Sequence, residues 1–140
     1  MAFNGIAHIQ LTVTDMERSA AFYRSLFEFL EMKTLIDSPD YLYGIGSRTG
    51  IAIAPASAER RGERFDQRRA GLHHLCLRAR SREDVDALHV LMQRLGATIV
   101  HPPQEDAWAP GYYSVLVEDP DGIRIEANHV PGKGHLEPGG

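Results

Sequence analysis

The feature that most constrains the fold is a repeat. Ile6-Ala-His-Ile-Gln-Leu-Thr-Val13 is echoed by Gly71-Leu-His-His-Leu-Cys-Leu-Arg-Ala79, with His74 falling on His8. After each histidine the residues alternate: Ile9, Leu11 and Val13 against Gln10 and Thr12 in the first copy, Leu75, Leu77 and Ala79 against Cys76 and Arg78 in the second. A period of two is that of a half-buried strand, whose successive side chains point to opposite faces. Each histidine therefore shares a face with the more polar residues, opposite the apolar set. By the same alternation His73 points away from His74 and is the weaker candidate of the pair.

The order of elements repeats with the histidines. Thr14-Asp15 offers an N-cap for a helix running to about Phe27. Short strands are then expected over 31–36, 41–45 and 51–54, separated by Ser38-Pro39-Asp40 and Ser47-Arg48-Thr49-Gly50. In the second half a strand over 72–79 precedes Ser81-Arg-Glu-Asp84, a capping-box pattern, and a helix with Val85, Leu88, Leu91, Met92 and Leu95 on one face, closed by Gly96. Strands follow over 97–101, 112–118 and 122–127, the last two joined by Asp119-Pro-Asp-Gly122, a turn signal. The chain therefore reads as two β-α-β-β-β modules in an α+β fold. Module 1 spans about 5–56, a linker about 57–70, module 2 about 71–128 and a Pro/Gly-rich tail 129–140.

Composition narrows what such a fold does. The linker carries five arginines against Glu59, Glu63 and Asp66, and this interleaving of signs describes a solvated connector better than a phosphate-binding patch. A net charge of −4 gives no general reason to bind nucleic acid. No apolar run approaches the roughly 20 residues that span a bilayer, and no signal-peptide pattern opens the chain, so a cytoplasmic location away from membranes is the expectation. Cys76 is the only cysteine and reads as a packing residue.

With Ala7-His8-Ile9-Gln10-Leu11-Thr12-Val13, Phe22-Tyr23-Arg24-Ser25-Leu26, His74-Leu75-Cys76-Leu77 and the stretch from Tyr112 to Glu126, the chain resembles the vicinal oxygen chelate superfamily over about residues 5–128. That superfamily includes glyoxalase I, bleomycin- and fosfomycin-resistance proteins and extradiol dioxygenases. The resemblance implies two four-stranded sheets around a metal-binding cavity, a homodimer, and a small-molecule substrate. Carried over residue by residue, it implies His8, His74 and Glu126 as ligands of a divalent metal ion, Fe(II), Mn, Ni or Zn. The alternation in Ile123-Arg-Ile-Glu126 agrees, since the isoleucines mark a core face and leave Arg124 and Glu126 on the other.

One departure bears on the reaction. If Gly50-Ile-Ala-Ile-Ala54 corresponds to Gly122-Ile-Arg-Ile-Glu126, Ala54 stands where the glyoxalase I pattern carries a second glutamate as ligand and base. Glu28 likewise replaces a glycine common after the first helix of relatives. Two histidines and one carboxylate leave positions open for a substrate bound through adjacent oxygens. Dioxygenase-like chemistry is therefore expected slightly ahead of lyase or isomerase chemistry. The resemblance to extradiol dioxygenases, which place a histidine and a tyrosine near the metal as acid/base groups, makes Tyr112, Tyr113 and His101 the available analogues and implies Tyr113 and His101 as proton-transfer groups. Drug sequestration without catalysis is the competing class.

Overall fold

The computed structural model describes residues 2–132. The Pro/Gly-rich tail expected over 129–140 falls mostly outside the described residues. Two units divide the chain, one ending at Arg64 and the other beginning at Phe65, inside the charged connector. Each holds one helix and one four-stranded mixed sheet, as the repeat implies.

In the first unit β1 (His8–Val13) leads to α1 (Met16–Phe29), β2 (Lys33–Ser38), β3 (Tyr41–Gly46) and β4 (Thr49–Pro55). The sheet order is β1-β4-β3-β2, with β1 parallel to β4 and the other pairs antiparallel. The Asp15 side chain caps α1 by accepting from Arg18 N at 3.0 Å. One sheet face is apolar: Leu11, Leu42, Ile51 and Ile53 are buried with Phe22, Leu26 and Phe27 of α1. Phe27 packs so closely on Gly44 that an added Cβ would come within 2.7 Å of its ring. Glycine is required there by contact.

The second unit repeats the plan with β5 (Leu75–Arg78), α2 (Arg82–Arg94), β6 (Thr98–Asp106), β7 (Tyr112–Glu118) and β8 (Arg124–His129), in the order β5-β8-β7-β6. Ser81 caps α2 by accepting from Asp84 N at 3.1 Å. Val85, Leu88 and Met92 of α2 are buried together with Val115, Val117, Ile125 and Ala127 of the sheet. Met92, expected beside Leu91, is the more deeply buried of the two. Before the strands, a short 3-10 helix covers Ala58–Arg60, and Phe65 N donates to Asp121 O at 3.1 Å, tying the end of the connector to the turn between β7 and β8.

Three departures from expectation have physical causes. β6 runs through Pro102-Pro103 instead of stopping before them, because it is an edge strand and its pairing with β7 shifts register there. Both helices close with the same hydrogen bond, Met32 N to Phe27 O at 2.9 Å and Ala97 N to Met92 O at 3.0 Å. The left-handed residue this closure needs is Gly96 (φ 68) after α2 but Glu31 (φ 56) after α1, so the missing helix-ending glycine is at 31, not 28. Third, the hairpins differ. β3 and β4 join through two residues, Ser47 and Arg48, both at positive φ, whereas β7 and β8 join through the longer turn at Asp119–Ile123.

Candidate functional site

Strand register fixes which side chains share a face. In the second unit Cys76 pairs with Glu126, Leu116 with Glu126 and Ser114 with Asn128, all on the face opposite the α2 core. Tyr112 belongs to the same alternation. Its ring is buried, and its hydroxyl donates to Glu126 Oε1. The other carboxylate oxygen, Oε2, stands 3.0 Å from His74 Nε2. The structure thus brings His74 and Glu126 together as the sequence expected. It also adds Tyr112 to them.

His74 lies one residue ahead of β5, outside the strand that was expected to begin at 72. Without ladder bonds the alternation does not govern residue 73. His73 turns back onto His74, ring centroids 5.0 Å apart and Nδ1 to Nδ1 at 2.8 Å. The expectation that the two histidines point apart is corrected on that ground.

The surroundings of Glu126 hold neighbouring groups in their protonated forms. Burial first, then the hydrogen bond to Glu126, pushes the Tyr112 phenol up to about 12, against a smaller opposing effect of Asn128. Cys76 reaches solvent, yet loss of water around the sulfur and the Glu126 charge push its thiol up to about 12. Arg124 is taken up by its cross-strand partner Glu118, Nε to Oε2 at 3.4 Å.

The two residues expected to move protons fare differently. Tyr113 lies on the opposite face from Glu126, against α2: its hydroxyl donates to Asp86 at 2.6 Å and Arg82 stacks 4.6 Å over its ring. That bond to Asp86 raises the Tyr113 phenol. Adjacent strand residues must diverge, so Tyr112 takes the place expected of Tyr113. His101 pairs with Leu116 after a register shift at residue 100, and this shift carries it from the face of Ile99 to the face of Glu126. It stands two strands from β8, about 10 Å at ordinary strand spacing, with Nδ1 2.9 Å from Pro102 O.

In the first unit His8, Gln10, Ala52, Ala54 and Tyr43 share the face opposite α1. The His8 ring meets the edge of Tyr43 at 6.5 Å, and Tyr41 donates to Gln10 at 3.0 Å. Tyr43 lies over Gly50, where a Cβ would come within 2.6 Å of the phenol. Register also corrects the position of the absent carboxylate. Cys76, two residues after His74, pairs with Glu126, and Gln10, two residues after His8, pairs with Ala52. The counterpart of Glu126 is therefore Ala52, and Ala54 matches Asn128. Alignment on Gly50 and Gly122 misses this because the two hairpin turns differ in length.

His74 Nε2 and Glu126 Oε2 stand at hydrogen-bond distance, 3.0 Å. An imidazole nitrogen and a carboxylate oxygen are also donors that divalent cations accept, so the pair fits such an ion by chemistry. Among the described residues no group of three His, Cys, Asp or Glu side chains is gathered as a metal cluster. No described helix is long and apolar enough to cross a membrane.

The family model described as Glyoxalase/Bleomycin resistance protein/Dioxygenase superfamily matches residues 5–127. The Bacillus subtilis (strain 168) protein YqjT, itself uncharacterized, is 28% identical over 120 residues, covering 85% of this chain and 94% of that protein. A glyoxylase/bleomycin resistance protein/dioxygenase domain from Frankia sp. EAN1pec superposes with a TM-score of 0.73 at 27% identity, over 91% of this chain and 98% of that one. Lactoylglutathione lyase from Agrobacterium tumefaciens shares the fold at 20% identity, TM-score 0.65, over 92% and 96% of the two chains.

Proposed function

Since the chain belongs to the glyoxalase/bleomycin resistance protein/dioxygenase superfamily, we propose that it is a metal-dependent enzyme acting on a small substrate held through vicinal oxygens. The observation that carries this reading is the 3.0 Å approach of His74 Nε2 to Glu126 Oε2. In this reading His74 and Glu126 supply two ligands, and the family resemblance implies His8 as the third. A bound divalent ion, Fe(II), Mn, Ni or Zn, supplies Lewis-acid polarisation of the substrate oxygens and, if redox-active, a site for dioxygen chemistry.

The chain's own residues set the rest. Glu126 offers Oε2 toward His74 while Tyr112 occupies Oε1, and His73 holds the second nitrogen of His74. His101 shares the Glu126 face and stays the candidate for proton transfer, whereas Tyr113, bonded to Asp86, leaves that role. Alanine at 52 provides neither ligand nor base, which weighs against the two-carboxylate proton shuttle of glyoxalase I and favours ring-cleaving or other dioxygenase chemistry over lyase or isomerase chemistry.

Calorimetry of chelator-treated protein with Mn(II), Fe(II), Ni(II) and Zn(II) tests the reading. Saturable binding of at least one ion, lost in His74→Ala and Glu126→Ala, is expected; no binding by the intact chain would place it with the sequestering members. Screening catechols, methylglyoxal with thiols, and acyl-CoA esters against the loaded protein then separates the reaction classes. The same proposal includes a homodimer. Mixing His8→Ala with Glu126→Ala subunits tells whether ligands come from one chain or two, because only a site shared between chains is restored.

A further inference from the structure

We propose that Tyr112 is the positioning residue of Glu126, fixing which carboxylate oxygen is presented for metal binding. The inference rests on the metal-binding reading above. A free glutamate side chain rotates about its terminal bonds and can bind an ion through one oxygen or two. In this chain the two oxygens have separate partners: Tyr112 donates to Oε1, and Oε2 faces His74.

Tyr112 is well built for that task. It sits four residues from Leu116, the cross-strand partner of Glu126, so its ring must lean along β7 to reach the carboxylate. The ring is 9% exposed and is thereby held in place by packing, and the Glu126 side chain is 12% exposed. Carboxylate ligands held by such outer partners bind metal with less loss of rotamer freedom, and removing the partner costs 10–100-fold in affinity as a rule. Fixing Glu126 as a one-oxygen ligand also keeps a coordination position open for a substrate that brings two oxygens.

Tyr112→Phe keeps the buried ring and removes only the hydroxyl, and Mn(II) binding by calorimetry reads the result. The expected outcome is binding weakened about 10–100-fold, with metal-free melting changed little. In a double-mutant cycle with Glu126→Asp, whose shorter side chain keeps a carboxylate ligand but draws it away from the phenol, Tyr112→Phe is expected to add little, because its effect runs through that contact. A packing role alone would move the melting temperature and not this coupling. Wild-type binding with an unchanged Tyr112→Phe affinity overturns the inference alone. A wild-type chain that binds none of the metals overturns the metal-binding reading and the inference with it.

Discussion

His73 and His74, neighbours in sequence, face each other through their Nδ1 atoms at 2.8 Å with ring planes 79° apart, while His74 Nε2 faces Glu126 on its far side. A hydrogen bond between two ring nitrogens needs one donor and one acceptor. With neutral rings and Nε2–H directed at the carboxylate, His74 accepts at Nδ1 and His73 donates. An ion on Nε2 demands the reverse, since His74 must then carry its proton on Nδ1 and His73 must accept it. Metal-ligating histidines ordinarily give that proton to an oxygen; with an ion on His74, a second imidazole would receive it instead.

His73→Phe, which keeps an aromatic ring and removes the nitrogen, is therefore expected to weaken metal binding about 10–100-fold. Nitrogen NMR of the two rings gives a direct check: metal addition should move the His73 proton from Nδ1 to Nε2. An unchanged His73 tautomer in metal-loaded protein would show that the ring contact has no part in binding.

Cys76 is expected to be unreactive although it reaches solvent. A thiol at about 12 instead of 9.0 offers about a thousandfold less thiolate at neutral pH. Alkylation by iodoacetamide at pH 8 should be slower than in the unfolded chain by two to three orders of magnitude, allowing for residual opening. Glu126→Gln removes the lesser cause and should recover only part of the rate. The linkage sign for stability is the same at Tyr112 and Cys76: each group is raised in the folded state, so its contribution is intact below the unfolded pKa and lost as pH climbs toward about 12. Wild type should therefore lose more stability above about pH 10 than a Tyr112→Phe/Cys76→Ala variant.

Glu31 adopts the left-handed conformation that its counterpart Gly96 adopts freely. A non-glycine residue there costs about 1–2 kcal/mol in backbone sterics, partly offset by the greater freedom glycine loses on folding. Glu31→Gly is expected to stabilise the protein by about 0.5–1 kcal/mol in urea unfolding. Ser47 and Arg48 are a parallel case, since a two-residue hairpin with both residues at positive φ prefers Asn-Gly. Replacing them by that pair should act in the same direction.

The sequence showed most where hydrogen-bonded ladders govern the side chains. Within β5 and β8 alternation placed Leu75, Ile125 and Glu126 on their observed faces. It failed one residue outside a ladder, at His73, and it gave no face for His101, which a register shift carries to the face of Glu126. Tyr112 and Tyr113 were both visible as candidates, but the choice between them depended on knowing that odd positions of β7 face α2. Glu118, Val117 and the apolar run before them did not announce this, because a strand covered on both faces loses its alternating pattern. The register of β1 against β4 was likewise out of reach, since it depends on hairpin length.

Register makes the absent second carboxylate a testable position. Ala52 is fully buried and paired across the strands with Tyr43, which lies over Gly50 beside His8. Ala54, two residues on, pairs with Thr12 and is only half-buried. A glutamate at 52 alone would bury a charge in the space beside Tyr43 and is expected to destabilise the fold by several kcal/mol, roughly. Ala52→Glu combined with Tyr43→Ala supplies both carboxylate and room. That variant should bind Mn(II) or Ni(II) about tenfold or more tightly than Tyr43→Ala alone, as expected when a ligand is added to an open site. It is also the variant in which activity on hemithioacetals should first be sought. Ala54→Glu, at the place of Asn128, should leave metal affinity unchanged. Tighter binding in Ala54→Glu with none in the double variant would show that the glycine-based alignment, and not the strand register, identifies the fourth ligand position.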